Sequence, residues 1–362
     1  MIGKLKNYFA TANTAKGFQN LFETNINTLD KLFILKGGPG TGKSSLMRKI
    51  GTQFQNRGYA IEYLHCSSDS HSLDGVIIRD LGVGIVDGTA PHVIEPKAPG
   101  AIEEYVNLGI AWDSQALALH KKEILDKNKK IKDCYTQVYD YFAKALLIHD
   151  EWEAIYIKHM DFSKANLLTE EVIQKILSST QLDKKSHIMH RFFGSSTSIG
   201  PVNFVENIIE DLDFRYFIKG RPGSGKSTLL KKLVTAAEKR GLDLEIYHCS
   251  FDPNSLDMVL LPELSTCIFD STAPHEYFPS RPTDDVVDMY GELITQGTDE
   301  KYALELADIT KRYKETIALG TKELEKAKAL HDELEDFYID AMDFTKIDAI
   351  YIDLMKSILS RI

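Results

Sequence analysis

The sequence predicts an α/β protein made of two tandem copies of one domain, each a parallel sheet of βαβ units carrying a long helical extension. Three observations predict it. Short apolar runs alternate with helical periodicity, the pattern of βαβ units. Residues 36–92 recur as 219–275 at a constant offset of 183, with 28 of 57 paired positions identical. Finally, the pattern is helical over about 101–180 and again over about 284–362. Self-similarity at one fixed offset is the signature of a repeated structural unit.

The repeat extends beyond that block. Upstream, Phe9, Thr14, Gly17, Asn20 and Glu23 pair with Phe192, Thr197, Gly200, Asn203 and Glu206. Downstream it returns at an offset of 182, where His149-Asp-Glu151, Glu153, Tyr156 and Met160-Asp-Phe162 recur as His331-Asp-Glu333, Glu335, Tyr338 and Met342-Asp-Phe344. The copies are therefore 1–183 and 184–362, with the boundary in a polar stretch near Lys184–Ser186 suited to a linker.

Within a copy the elements read in order. A strand near Asn7–Thr11 leads to a small helix around Phe18–Thr24. The apolar run Leu32–Leu35 is a buried strand, followed by a glycine-rich turn and an amphipathic helix from Ser44 to about Gln55, stopped at Gly58. Strands Ala60–Cys66 and Val83–Asp87 follow, repeated as Leu244–Cys249 and Thr266–Asp270. A helix is expected to begin near Ser72-Leu-Asp74 and Ser255-Leu-Asp257. In the extension, Leu117, Ile124, Ile131, Val138 and Ala145 recur every seventh residue, which predicts a long helix or helical hairpin packed on itself or on its counterpart.

The net charge of −10 argues against a nucleic-acid-coating surface. Four cysteines without paired spacing fit a reducing compartment. No apolar run approaches the roughly 20 residues that span a bilayer, and Met1–Lys6 lacks the apolar core of a signal peptide. The expected location is the cytoplasm, without membrane insertion.

The glycine turns carry the chemistry. Gly37, Gly38, Pro39, Gly40, Thr41, Gly42, Lys43 and Ser44, then Ser45, follow one buried strand. Gly220, Arg221, Pro222, Gly223, Ser224, Gly225, Lys226 and Ser227, then Thr228, follow another. Both fit G-x-x-x-x-G-K-[ST], in which backbone N–H groups cradle nucleotide phosphates, the lysine reaches the β and γ phosphates, and the hydroxyl of Ser44 or Ser227 ligates magnesium. Asp87 and Asp270 end apolar strands at the same distance after each turn, as a magnesium-holding Walker B carboxylate does. Many ATPases place a glutamate next, to orient the attacking water; Gly88 and Ser271 stand there instead.

Other residues have two readings each. His92 and His275, in identical Thr-Ala-Pro-His tails, either contact the γ-phosphate or cap a proline-fixed turn. Asp69 and Asp252 either position a water or acceptor hydroxyl, or cap the expected helix. Arg221 and Arg281 lack arginine twins and are arginine fingers or surface charges. The His149 cluster and its twin share a helix face, as a metal or catalytic cluster or as an interface or core histidine with a solvated acidic face.

On both loops, both Asp-x-Thr-Ala-Pro-His strands, Pro99–Ile102 and the helical ends, the chain is identified as a member of the P-loop NTPase superfamily. It resembles bacterial tandem-P-loop proteins of ATPase or nucleotide-kinase-like type. That resemblance implies ATP and Mg2+ at two sites, with Lys43 and Lys226, Ser44 and Ser227 in the superfamily's usual roles. Three functions are expected in turn: an ATPase acting as a nucleotide-driven switch whose helices report to a protein partner, an ATP-dependent kinase of a nucleotide or other small molecule, and a module that binds nucleotide without turnover.

Overall fold

The computed structural model describes residues 2–273 and 276–362. The first copy runs β1 (Leu5–Phe9), β2 (Thr11–Thr14), β3 (Gly17–Asn20), α1 (Phe22–Ile26), β4 (Lys31–Lys36), α2 (Lys43–Asn56), β5 (Ile61–His65), β6 (Leu73–Ile78), β7 (Val83–Asp87) and β8 (Glu103–Asn107), then α3 (Ser114–Leu119), α4 (Lys121–Lys158) and α5 (Phe162–Leu177). The second repeats it as β9 (Ile188–Arg191), β10 (Gly194–Thr197), β11 (Gly200–Asn203), α6 (Val205–Ile209), β12 (Phe214–Lys219), α7 (Lys226–Lys239), β13 (Leu244–His248), β14 (Leu256–Leu261), β15 (Thr266–Asp270) and β16 (Asp284–Asp288). It closes with α8 (Met289–Leu293), α9 (Thr298–Lys301), α10 (Ala303–Asp340) and α11 (Phe344–Leu359).

Each copy contributes one six-stranded sheet, in the orders β1-β5-β6-β7-β4-β8 and β9-β13-β14-β15-β12-β16. The expected all-parallel sheet is corrected here. β6 and β14 run antiparallel to both neighbours, so the sheets are mixed, though mostly parallel. These are the segments where a helix was expected to start. Leu73–Ile78 is buried at every position, on both faces, which a one-sided helix cannot satisfy. The helical extensions also begin later than expected, because β8 and β16 add a parallel edge strand beside β4 and β12.

The copies meet face to face across a buried seam. Phe9 and Phe192, equivalent in the repeat, exchange backbone hydrogen bonds of 2.9 Å each. Next to them Arg191 is fully buried, stacked 4.1 Å from the ring of Tyr8, its own repeat equivalent. It binds Glu62 of one copy at 3.1 Å and Glu245 of the other at 2.9 Å. A second arginine at Tyr8 would press two cations together on the pseudo-two-fold axis, so the pair is arginine and tyrosine. Burial alone would raise the Glu62 carboxyl, but Arg191 and Arg79 hold it well below the usual carboxylate range.

The long helices pack on their counterparts. α4 and α10 run antiparallel, with Lys127 paired to Glu333 at one end and Arg312 to Glu151 at the other. Gly320 sits where the ring of Phe142 lies: an added Cβ would be 2.5 Å away. The short helices that follow cross over. Ile347, Leu354, Met355 and Ile358 of α11 join the core around β4 and α2 of the first copy. Val172, Ile176 and Leu177 of α5 join the core around β12 and α7 of the second. At about 2 kcal/mol per buried aliphatic side chain, such sets are substantial anchors. The sequence copies and the two cores therefore coincide in their sheets but trade their terminal helices. Among the described residues no helix is long and apolar enough to cross a membrane.

Candidate functional site

The glycine turns lie at the carboxyl ends of β4 and β12, where the chain leaves a buried strand and enters a helix. Gly40 and Gly42 take positive φ of 65° and 85°, and Gly223 and Gly225 take 74° and 87°, a region that favours glycine. Gly42 is the N-cap of α2 and no side chain caps it, so the first helical N–H groups stay available to an anion. One loop N–H already serves one: Gly40 donates to Oε1 of Glu335 at 3.2 Å.

Strand pairing then delivers an acid. β7 lies directly beside β4, with Leu35 opposite Asp87, and β15 beside β12, with Ile218 opposite Asp270. Lys43 Nζ consequently lies 3.5 Å from Asp87 Oδ2, and Lys226 Nζ 3.5 Å from Asp270 Oδ2. The lysines also donate to loop carbonyls, Lys43 to Gly38 at 2.7 Å and Lys226 to Arg221 at 2.9 Å. Ser44 and Ser227 are each fixed by a backbone N–H, from Leu73 and Leu256, at 3.0 Å. Thr89 and Thr272 donate from both backbone and hydroxyl to the other oxygen of Asp87 and Asp270. The two floors are the same construction made twice.

The remaining sequence candidates fall differently. His92 turns to Asp74 of β6, Nε2 to Oδ1 3.3 Å, with 5 % and 4 % of the two residues exposed. Burial would lower this imidazole, but Asp74, helped by Asp87, raises it to about 9. His275 lies outside the described residues. Asp69 and Asp252 cap no helix, since a strand follows. Each accepts the N–H two residues ahead and the hydroxyl three ahead, from His71 and Ser72 or Asn254 and Ser255. Each also takes a cation from the other copy: Lys328 at 3.5 Å for Asp69, Lys16 at 2.8 Å for Asp252. Arg281 donates to the carbonyls of Leu212 and Glu210. Arg221 binds Asp299 at 2.8 Å and lies 4.9 Å from the ring of Tyr290.

Two features escaped the sequence reading. Asp74 is buried and Asp257 half-buried beside the strand-end acids, and desolvation together with Asp270 pushes Asp257 up to about 7. Their identity in both copies was the available signal. The second feature is the cover. α10 of the second copy lies over the first loop, and α4 of the first copy lies over the second. An added Cβ at Gly40 would meet the Glu335 carbonyl at 2.9 Å, and one at Gly223 the Glu153 carbonyl at 2.7 Å. At Gly38 it would meet the Tyr338 ring at 2.6 Å. The histidine clusters sit on these covering faces, with His149, Asp150 and Glu153, and likewise His331, Asp332 and Glu335, placing ligand atoms within 4.8 Å of one another.

No family model, curated protein or solved structure matches this chain.

Proposed function

We propose that the protein is a P-loop NTPase that binds Mg-ATP at two sites and hydrolyses it as a nucleotide-driven switch, its long helices relaying the state to a protein partner. One observation carries this reading: a loop lysine and a strand-end aspartate meet at the same 3.5 Å in both copies, beneath glycine turns, in the first of which the Gly40 N–H already holds a carboxylate. The residues fit the ligand. Glu335, on the Gly40 N–H, is a carboxylate standing where a phosphate oxygen would be held. Ser44 with Asp87, and Ser227 with Asp270, are the oxygen donors that would hold magnesium, which supplies charge neutralisation at the phosphates. Lys43 and Lys226 would exchange their loop carbonyls and aspartate for phosphate oxygens.

Calorimetry with Mg-ATP tests it: two equivalents bind to the wild type, and Lys43→Ala and Lys226→Ala each remove one. A wild-type stoichiometry of one or none overturns the two-site reading. A phosphotransferase is the second reading, favoured by the absence of an acid at Gly88 and Ser271. Labelled ATP separates the two. Phosphate released without an acceptor supports the ATPase, while transfer only in the presence of a metabolite extract supports the kinase.

A further inference from the structure

We propose that Glu335 and Glu153 activate the attacking water, each carried by a long helix into the site of the opposite copy. The inference rests on the ATP-hydrolysis reading above and names residues that the loop and strand motifs omit. Hydrolysis by an in-line water requires a proton acceptor or water-orienting group near the terminal phosphate. Gly88 has no side chain to offer. At the equivalent place the Ser271 hydroxyl is already committed, donating to the Tyr277 carbonyl at 2.8 Å and accepting from its N–H at 3.0 Å. Asp69 and Asp252 are bound in their own turns and ion-paired to Lys328 and Lys16. Asp87 and Asp270 face the lysines.

Glu335 is in the right place. Its Oε1 takes the N–H of Gly40, inside the loop itself. Glu153 is its repeat equivalent, and its backbone is seated alike: its carbonyl would be 2.7 Å from a Cβ at Gly223, as that of Glu335 would be 2.9 Å from one at Gly40. Each glutamate stands one helical turn after a histidine, His331 or His149, with its Oε1 3.7 Å from the ring Nδ1. His149 is also near enough to Lys226 and Asp252 to feel their charges, which puts this helix face at the second site.

The step balances as an ordinary hydrolysis. When ATP takes the loop N–H groups, the carboxylate turns from the loop to water. The water oxygen bonds to the terminal phosphorus as the bond from phosphorus to the β–γ bridging oxygen breaks. One water proton passes to the glutamate, the electron pair stays on the β-phosphate of ADP, and inorganic phosphate departs.

Glu335→Gln keeps size and hydrogen bonding but removes the proton acceptor. It should bind two equivalents of ATP, slow phosphate release from one site about 100-fold, and retain one equivalent of unhydrolysed ATP through desalting. Adding Lys43→Ala should abolish that retained ATP, and adding Lys226→Ala should leave it. For Glu153→Gln the two lysine variants exchange roles. If E335Q does not fold, Glu335→Asp, which keeps the acid but shortens its reach, must slow the same site. Normal turnover in these variants, or ATP retained at the copy that carries the mutated glutamate, overturns the assignment. Tighter binding with faster turnover makes the carboxylate a plug and overturns it as well. Wild-type protein that binds ATP yet releases no phosphate sinks the hydrolysis reading itself, and the glutamate role falls with it.

Discussion

At the first loop Gly38 leaves room for the ring of Tyr338, whereas at the second Arg221 fills the equivalent position and reaches outward to Asp299. Asp299 in turn accepts from Tyr156, the repeat equivalent of Tyr338, at 2.8 Å. One cover is thus an aromatic ring laid on a glycine; the other is the same ring held off by a guanidinium and a carboxylate. Beneath them the lysine, serine and strand-end aspartate keep the same partners at the same distances. The flanking cations differ as well, Lys328 at Asp69 and Lys16 at Asp252, although both cross between copies. The floor has been held constant while the roof has diverged, as expected if chemistry is common to both sites and its coupling to the helices is not.

The largest effect that would sharpen this comparison is electrostatic. Folding raises His92 to about 9, above its usual value of about 6.5. The stability gained from its pairing with Asp74 is therefore fully present below about pH 6.5 and is lost as pH rises through about 9, by about 3 kcal/mol at most. Urea unfolding across that window should show the loss, and His92→Gln should flatten it. A flat wild-type profile would mean that the buried pair is not ionised.

Next come the glycines beneath the covering helices. Gly40→Ala and Gly223→Ala each drive a Cβ against a backbone carbonyl at a positive φ, and each should cost roughly 2 kcal/mol. Chemical denaturation should give similar values for the two. A cost at only one would show that one helix seats more loosely. Arg221→Gly should be the mildest, below about 1 kcal/mol, because its guanidinium is half exposed. Its readout is nucleotide affinity at the second site, which should move toward that of the first.

The loops, their strands and the strand-end aspartates were legible because a motif with a mechanism fixes their geometry: strand, turn, helix and neighbouring strand. β6 was not. Asp69-Ser-His-Ser72 makes the same side-chain-to-backbone turn that begins a helix, and only the two-sided burial of Val76, Ile77 and Ile78 distinguishes the strand that follows. The seven-residue recurrence in α4 correctly marked an apolar stripe, with Val138 and Ala145 buried, but periodicity names a face and never its partner. The exchange of α5 and α11 was invisible for that reason. Glu153 and Glu335 stood out as repeated residues, yet on an isolated helix they read as a solvated acidic face.

The exchange of terminal helices also sets the order in which this chain can mature on the ribosome. The sheet of the first copy is made early, but a helix from the far end of the second copy, Phe344–Leu359, is among the parts that complete its core. The earliest folding unit must wait, with apolar surface uncovered, until residues 344–359 have been made. Nascent chains stalled before residue 344 should therefore be chaperone clients, whereas chains that include Phe344–Leu359 can close the first core.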